Sequence, residues 1–520
     1  MSKTIRLTSS SLCFLKAKIE TLIVQSACTI GAALCVLFVP SAAVAGELVL
    51  YSTSPNPLTC QVDGYAKDKN GGSNIMFTVK PGEHLNIPPS SPDKTLNWVD
   101  CGSGLRTRAM NVAVTGPDVV LFLTGQQKRT LNVSLYVSIP TDPIAGYAPL
   151  VRWLTLAYQA QHPDVLLNVV FNPGVDPYDF SSLKSQVFGT HGFDVAEIDT
   201  VMLAYLVQNH LISETKITGE EPWPVAKEAA TVNGKLYGVP SWLCSDFLFS
   251  GNGDLASVHT FADLQKYMQT MPPGRRRFVG YLNGTWTIPS LYLQAFAQTY
   301  PEKTTNDALK MPADEAVIDK LIQFGANCAI NGDNPCTDNR YHKAADGSIE
   351  RAFAGGEAPN DLGFSERSFF LVSDLATPES LSVIPMPWGD SPGARLFVYS
   401  DAFVTNSQTC SSTACQADSQ DFSAFMTSVA VKKMIAFSKD LPYGSAARHL
   451  LPATKAFYDP KVLKDDLIYT QALKMLLEKS PRAYLNNFNP QMQHDLLYGI
   501  CTSLQKKDPQ WVCNVPSLAP

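Results

Sequence analysis

The stretch Leu131-Asn-Val-Ser-Leu-Tyr136, then Tyr147-Ala-Pro-Leu-Val-Arg-Trp-Leu-Thr-Leu-Ala-Tyr-Gln-Ala-Gln161, then Val165-Leu-Leu-Asn-Val-Val-Phe171, decides the fold. The first run alternates as a strand does. The second repeats apolar residues at the 3.6-residue spacing of a helix, and the third is a short apolar run of strand length. Phe193–Ile198 reads as a further strand and Val201–Gln208 as a further helix. Strand–helix–strand order predicts βαβ units and a mainly parallel sheet. Downstream, helices are expected over Phe261–Met271, Asp314–Ala329, Ser423–Lys439 and Asp466–Leu477, with a strand at Ala394–Val398 far from the first ones. Such an order fits a two-lobed α/β protein with a cleft between the lobes.

Upstream the texture differs. Between residues 46 and 128, short runs such as Leu48–Tyr51, Asn74–Val79, Asn111–Val114 and Val119–Leu123 alternate with turn signals at Asp63-Gly64, Gly71-Gly72, Pro81-Gly82 and Gly102-Ser-Gly104. A small all-β domain is expected there. It holds no catalytic candidate and reads as an accessory or docking module, with residues 129–520 closing their own core. Earlier still, Lys3, Arg6, Lys16 and Lys18 precede an almost wholly apolar run from Leu22 to Val39, then Pro40 and Ala43-Val44-Ala45. Residues 1–45 therefore read as a cleaved secretory signal peptide, the competing reading being an uncleaved membrane anchor.

The full chain has 520 residues, Lys+Arg 41 against Asp+Glu 47, a net charge of −6, 45% hydrophobic and 17% charged residues. With the leader go four basic residues and Glu20, which leaves the remainder at −9. This balance argues against a nucleic-acid partner, and the apolar content excludes a disordered or collagen-like chain.

Of the 12 cysteines, Cys13, Cys28 and Cys35 lie in the leader. Proximity suggests the pairs Cys60–Cys101, Cys328–Cys336, Cys410–Cys415 and Cys501–Cys513, because exported thiols tend to pair, although connectivity does not follow from sequence. Cys244 is left over. A leftover thiol is either inert in the core or kept for chemistry.

The segment Asn233-Gly-Lys-Leu-Tyr-Gly-Val-Pro240 has the form solute-binding proteins use where the chain crosses between lobes, and Ser241-Trp-Leu-Cys244-Ser-Asp-Phe-Leu-Phe249 follows it. With Phe193-Asp-Val-Ala-Glu-Ile-Asp199, Gly280-Tyr-Leu-Asn-Gly-Thr285, Gly363-Phe-Ser-Glu366, Phe397-Val-Tyr-Ser-Asp401 and Leu450-Leu-Pro-Ala453 in order, the chain from about Leu131 to Phe488 resembles the thiaminase I (thiamine pyridinylase) family. The resemblance implies a two-lobed periplasmic-binding-protein-like (type II) fold and a secreted transferase that replaces the thiazole of thiamine by another base or thiol. It implies Cys244 as nucleophile and Glu366 as its base. It also implies Asp199 and Asp401 as ligands of the aminopyrimidine, with Tyr136, Tyr178 and Tyr399 lining the cleft. Two positions depart from the family pattern: Phe364 stands where Tyr often precedes Ser-Glu, and Val137-Ser138 stands where a second tyrosine occurs. The implied partners are thiamine or an analogue and a nucleophilic co-substrate. A monomer without cofactor or metal, bound to no membrane once the leader is removed, completes the expectation.

Each residue also has a plainer reading. Cys244 lies among Trp242, Leu243, Phe247, Leu248 and Phe249 and could be a core thiol. Glu366 could pair with Arg367 at the surface. Asp199 and Asp401 could cap turns, and the tyrosines could simply pack. Asn132-Val-Ser134 and Asn283-Gly-Thr285 match the glycosylation acceptor pattern. No His-Glu-x-x-His, Gly-x-Ser-x-Gly or P-loop pattern occurs. The competing function is a non-catalytic extracytoplasmic solute-binding protein for thiamine or a related cation, which would need neither Cys244 nor Glu366. A third reading is a surface interaction protein that uses the β-rich segment.

Overall fold

Strands β1 (Arg129–Leu135) and β2 (Val165–Phe171) pair in parallel, Leu131 opposite Leu167 and Leu135 opposite Phe171. Helix α1 (Ala148–Gln161) makes the crossover. All of β2 is buried, as expected of a strand covered on both faces. The protein is described by a computed structural model over residues 48–63, 74–87, 95–96, 98–101, 112–113, 119–136, 139–140, 146–171, 178–251, 255–341, 348–374, 381–392, 396–442, 445–463, 466–478 and 481–515. The leader predicted for 1–45, most of the predicted turn glycines of the β-rich segment, the Val137-Ser138 pair, Asn111, Val114 and residues 394–395 lie outside these.

The first sheet has seven strands. Strand β3 (Val195–Asp199) lies beside β1, also parallel. The chain then enters β4 (Val239–Cys244) and passes through Ser245 alone into β5 (Asp246–Ser250), which belongs to a second sheet. That sheet runs β6 (Val279–Gly280), β7 (Asn360–Phe364), β5, β8 (Ser382–Pro385), with helix α2 (Thr287–Thr299) between β6 and β7 in sequence. The chain returns through β9 (Phe397–Thr405), passes helices α3 (Thr413–Thr427) and α4 (Val429–Ala436), and adds β10 (Leu451–Pro452) and β11 (Arg482–Ala483) to the first sheet. Two sheets joined at β4–β5 and at the return strand β9 make the two lobes the sequence predicts.

The first sheet is mixed, not mainly parallel. Strand β9 pairs antiparallel with β3 and β4, and β10 antiparallel with β4. The reason is directional: β4 runs toward the second sheet and β9 comes back from it. The single helix expected over Ser423–Lys439 is two. Ser428 is extended (φ −63, ψ 146) and its side chain accepts from the Val431 amide, so the serine starts a new helix in place of continuing the old one.

The β-rich segment is present. Leu48–Ser52 pairs antiparallel with His84–Ile87 and parallel with Val119–Leu123, and Leu58–Asp63 lies between Asn74–Val79 and Trp98–Asp100. Its core is not separate from that of the lobes. Val49, Val120 and Phe122 pack in one cluster with Leu131, Leu150, Val151 and Leu167, and the Phe122 carbonyl accepts from both Gln127 Nε2 (2.9 Å) and Gln159 Nε2 (3.0 Å). The β-rich segment and residues 129–520 thus share part of one core.

The four expected disulfides are formed, and Cys244 is the free cysteine among the described residues. Among those residues, no helix is long and apolar enough to cross a membrane. Asn132 and Asn283 are buried, which removes both glycosylation acceptors.

Candidate active site

The carboxyl ends of β3 and β4, the chain just after β1, and the entry of β9 converge where the chain crosses between sheets. A cavity of about 180 Å³ lies there. All the residues predicted for the site line it: Tyr136, Tyr178, Asp199, Cys244, Glu366, Tyr399 and Asp401.

Cys244 is the last residue of β4, opposite Tyr399 of β9. Its Sγ donates to Glu366 Oε2 at 3.2 Å. Glu366 sits in the 3-10 turn after β7, so the pair spans the two sheets, and Ser365 Oγ donates to the same oxygen at 3.4 Å. The surface ion pair that Arg367 offered is not Glu366's environment: Arg367 reaches the buried Glu350 at 2.7 Å. Burial pushes the Cys244 thiol well above its usual range, and the Glu366 carboxylate pushes it further. Burial also raises Glu366, against the hydrogen bonds it accepts. A standing thiolate is thus disfavoured, and the geometry suits proton transfer during attack.

Asp199 and Asp401 face each other across β3 and β9. Asp199 does cap a turn, its Oδ1 accepting from the Val201 amide at 2.9 Å, while Oδ2 accepts from Tyr178 OH at 3.3 Å. Burial pushes Asp199 up to about 6. Asp401 is pushed well above the carboxylate range by burial, then by the Asp199 and Glu197 charges. Two carboxylates so placed do not both ionise freely. One ionised and one protonated acid can accept from an exocyclic amine and donate to a ring nitrogen.

Tyr136 OH and Tyr178 OH hydrogen-bond to one another. Tyr399 OH donates to the buried Asp246 at 3.4 Å. Among the lining residues that the sequence did not single out for the site are Trp242, Trp286, Ser290 and Tyr484. The Trp286 ring lies 5.2 Å from that of Tyr178, and Tyr484 lies 4.4 Å from Tyr399. Trp286 begins α2 of the second lobe and Tyr484 follows a two-residue strand. Neither stands in a pattern that separates a wall from a core aromatic.

Thiaminase-1 from Paenibacillus thiaminolyticus is 26% identical over 371 residues, 68% of this chain and 83% of that protein. This chain is similar to thiaminase I. The solved thiaminase I from Bacillus thiaminolyticus superposes with a TM-score of 0.59 at 23% identity, covering 72% of this chain and 99% of that one. Clostridium botulinum thiaminase I in complex with thiamin gives 0.58 at 18%, over 72% and 99%. Maltose-bound T. maritima MalE3 gives 0.55 at 15%, over 73% and 95%. At these identities the solved structures establish the fold, which is that of two-lobed binding proteins and of thiaminase I alike. No protein-family model matches the chain.

Proposed function

We propose that the protein is a secreted thiamine-cleaving transferase in which Cys244 is the nucleophile and Glu366 its base. The observation that carries this is the 3.2 Å contact between Cys244 Sγ and Glu366 Oε2 in a cavity shared with Asp199 and Asp401. The likeness to thiaminase-1 supports it. As the thiol adds to the electron-poor pyrimidine, its proton passes to Glu366 and a carbon–sulfur bond forms. The electron pair that enters the ring expels the thiazole from the methylene carbon as a neutral molecule. An incoming base or thiol adds to that methylene and gives up its proton, and the cysteine leaves, restoring the aromatic ring. Asp199 and Asp401 hold the amino and ring-nitrogen groups. Tyr136, Tyr178, Tyr399 and Trp286 offer faces to the cationic thiazolium. Residues 1–45 act as the export signal, 46–128 as an accessory part and 129–520 as the catalytic unit, working as a monomer.

The test is to incubate the purified chain with thiamine and an aromatic amine and to separate the products by chromatography. Free thiazole and a pyrimidine–amine adduct are expected. Thiamine bound tightly but returned intact would overturn the enzyme reading in favour of a solute-binding protein.

A further inference from the structure

A lysine lies buried behind the carboxylates without reaching the cavity. Lys432 of α4 is fully buried, and its Nζ has no hydrogen-bond partner among the described residues. It sits 3.4 Å from the centre of the Trp242 ring and 5.9 Å from that of Phe403. Trp242 is itself a wall of the cavity. A buried ammonium survives only beside compensating charge, and the β3–β9 register shows where that charge is. Glu197 stands opposite Phe403 and Asp199 opposite Asp401. Residues two apart on a strand share a face, so Glu197, Asp199 and Asp401 lie on one face with Phe403, whose ring is 5.9 Å from the lysine.

We propose that Lys432 is a positioning residue that makes Asp401 easier to ionise than its acidic neighbours alone would leave it, and thereby sets the charge pattern that receives the aminopyrimidine end of the substrate. The substrate assignment rests on the function proposed above; the effect on Asp401 does not. Of the charges acting on Asp401, those of Asp199, Glu197 and Glu366 push its carboxyl up, and Lys432 pulls it down. The influence is mutual. Burial lowers Lys432 to about 7, and Glu197 and Asp401 hold it up against that. Neighbouring elements supply little else. Asp418 of α3 is held by Arg129 at 2.7 Å, Lys455 is exposed, and β10 brings only Leu451 and Pro452. The indole face and two carboxylates thus take the place of hydrogen bonds for this ammonium.

The experiment follows the Asp401 carboxyl directly, by carbon-13 NMR of the full chain labelled in aspartate, the resonance assigned by its loss in Asp401→Asn. In Lys432→Met, which keeps the aliphatic stem, the Asp401 midpoint is expected to rise by about one to three pH units. Lys432→Arg, which keeps the charge, is expected to restore the parent midpoint. If Lys432→Met does not fold, the comparison moves to Glu197→Gln with and without Lys432→Met, where the lysine's other carboxylate is removed as well; the midpoint is again expected to be higher without the lysine. An Asp401 midpoint unmoved by loss of the lysine overturns the proposal. In parallel, thiamine binding is read by tryptophan fluorescence. Lys432→Met should bind at least about tenfold more weakly near neutral pH and recover as pH rises past the new midpoint. A parent chain that does not bind thiamine at all would overturn the proposed function and leave the titration to decide the role of Lys432.

Discussion

At Cys244 and Glu366 the proposed chemistry depends on one proton passing between two atoms 3.2 Å apart. Cys244→Ser and Glu366→Gln change few atoms and leave Asp199 and Asp401 in place. Each should lower kcat by a factor on the order of a thousand with thiamine binding retained, and the double variant should lose little more, because base and nucleophile act as one unit. Additive losses in steady-state kinetics would separate the two residues. Asp246 offers an independent check on the electrostatics. Burial, with the Glu366 charge adding to it, raises its carboxyl to about 7. A carboxyl raised on folding costs nothing while both states are protonated. Its cost grows as pH climbs from about 4, the unfolded value, to about 7, and is constant above that. Asp246→Asn, still able to accept from Tyr399, should therefore stabilise the chain by about 4 kcal/mol at pH 8 and by less than about 1 kcal/mol near pH 4. A stability difference that does not vary with pH, measured by urea unfolding, would contradict the assignment. Cys244 was legible in the sequence because an odd cysteine stands out. Glu366 was not legible from its own surroundings, since Arg367 beside it suggested a surface pair, and only the likeness of its motif singled it out. Trp286 and Tyr484 gave no signal, because an aromatic on a wall and one in a core have the same neighbours in sequence.

Strand β9 does the most to assemble the site. It carries Tyr399 and Asp401 and pairs with both β3 and β4, so Asp401 meets Asp199 on one side while Tyr399 meets Cys244 on the other. That closeness requires Gly238, just ahead of β4. A Cβ there would lie 2.7 Å from Ala402 Cβ and 3.4 Å from Val404 Cγ1. Both are short side chains on β9 that cannot swing aside, so the strands would have to part. Gly238→Ala should destabilise the chain by about 1–3 kcal/mol and raise KM for thiamine more than it lowers kcat, because Asp401 moves with its strand. Unchanged stability in denaturant unfolding would mean that the strands yield without cost.

The β-rich segment and the two lobes are coupled through a shared core. Removing residues 46–128 takes away Val49, Val120 and Phe122, which cover Leu131, Leu150 and Val151. At about 1.5–3 kcal/mol for each large apolar side chain, the truncated chain should unfold at a markedly lower temperature and bind a hydrophobic dye at 25 °C. A truncated chain with the parent Tm would restore the view of a self-sufficient α/β unit. Because no lining residue of the cavity comes from that segment, whatever fraction folds should keep its chemistry.

The sequence alone determined the α/β class, the β-rich start and the odd thiol, and it suggested the four disulfide pairs that the structure then formed. These follow from information carried locally: hydrophobic period, turn residues and the spacing of cysteines. The mixed direction of the first sheet, the break at Ser428, the shared core and the burial of Lys432 beside Glu197 and Asp401 emerged only with tertiary structure. Each depends on which distant segment lies alongside, and a strand reads the same whether its neighbour runs with it or against it. A lysine on a predicted helix reads as solvated. Only the packing of α4 against Trp242 and Phe403 takes that charge out of water, where the low dielectric makes it count.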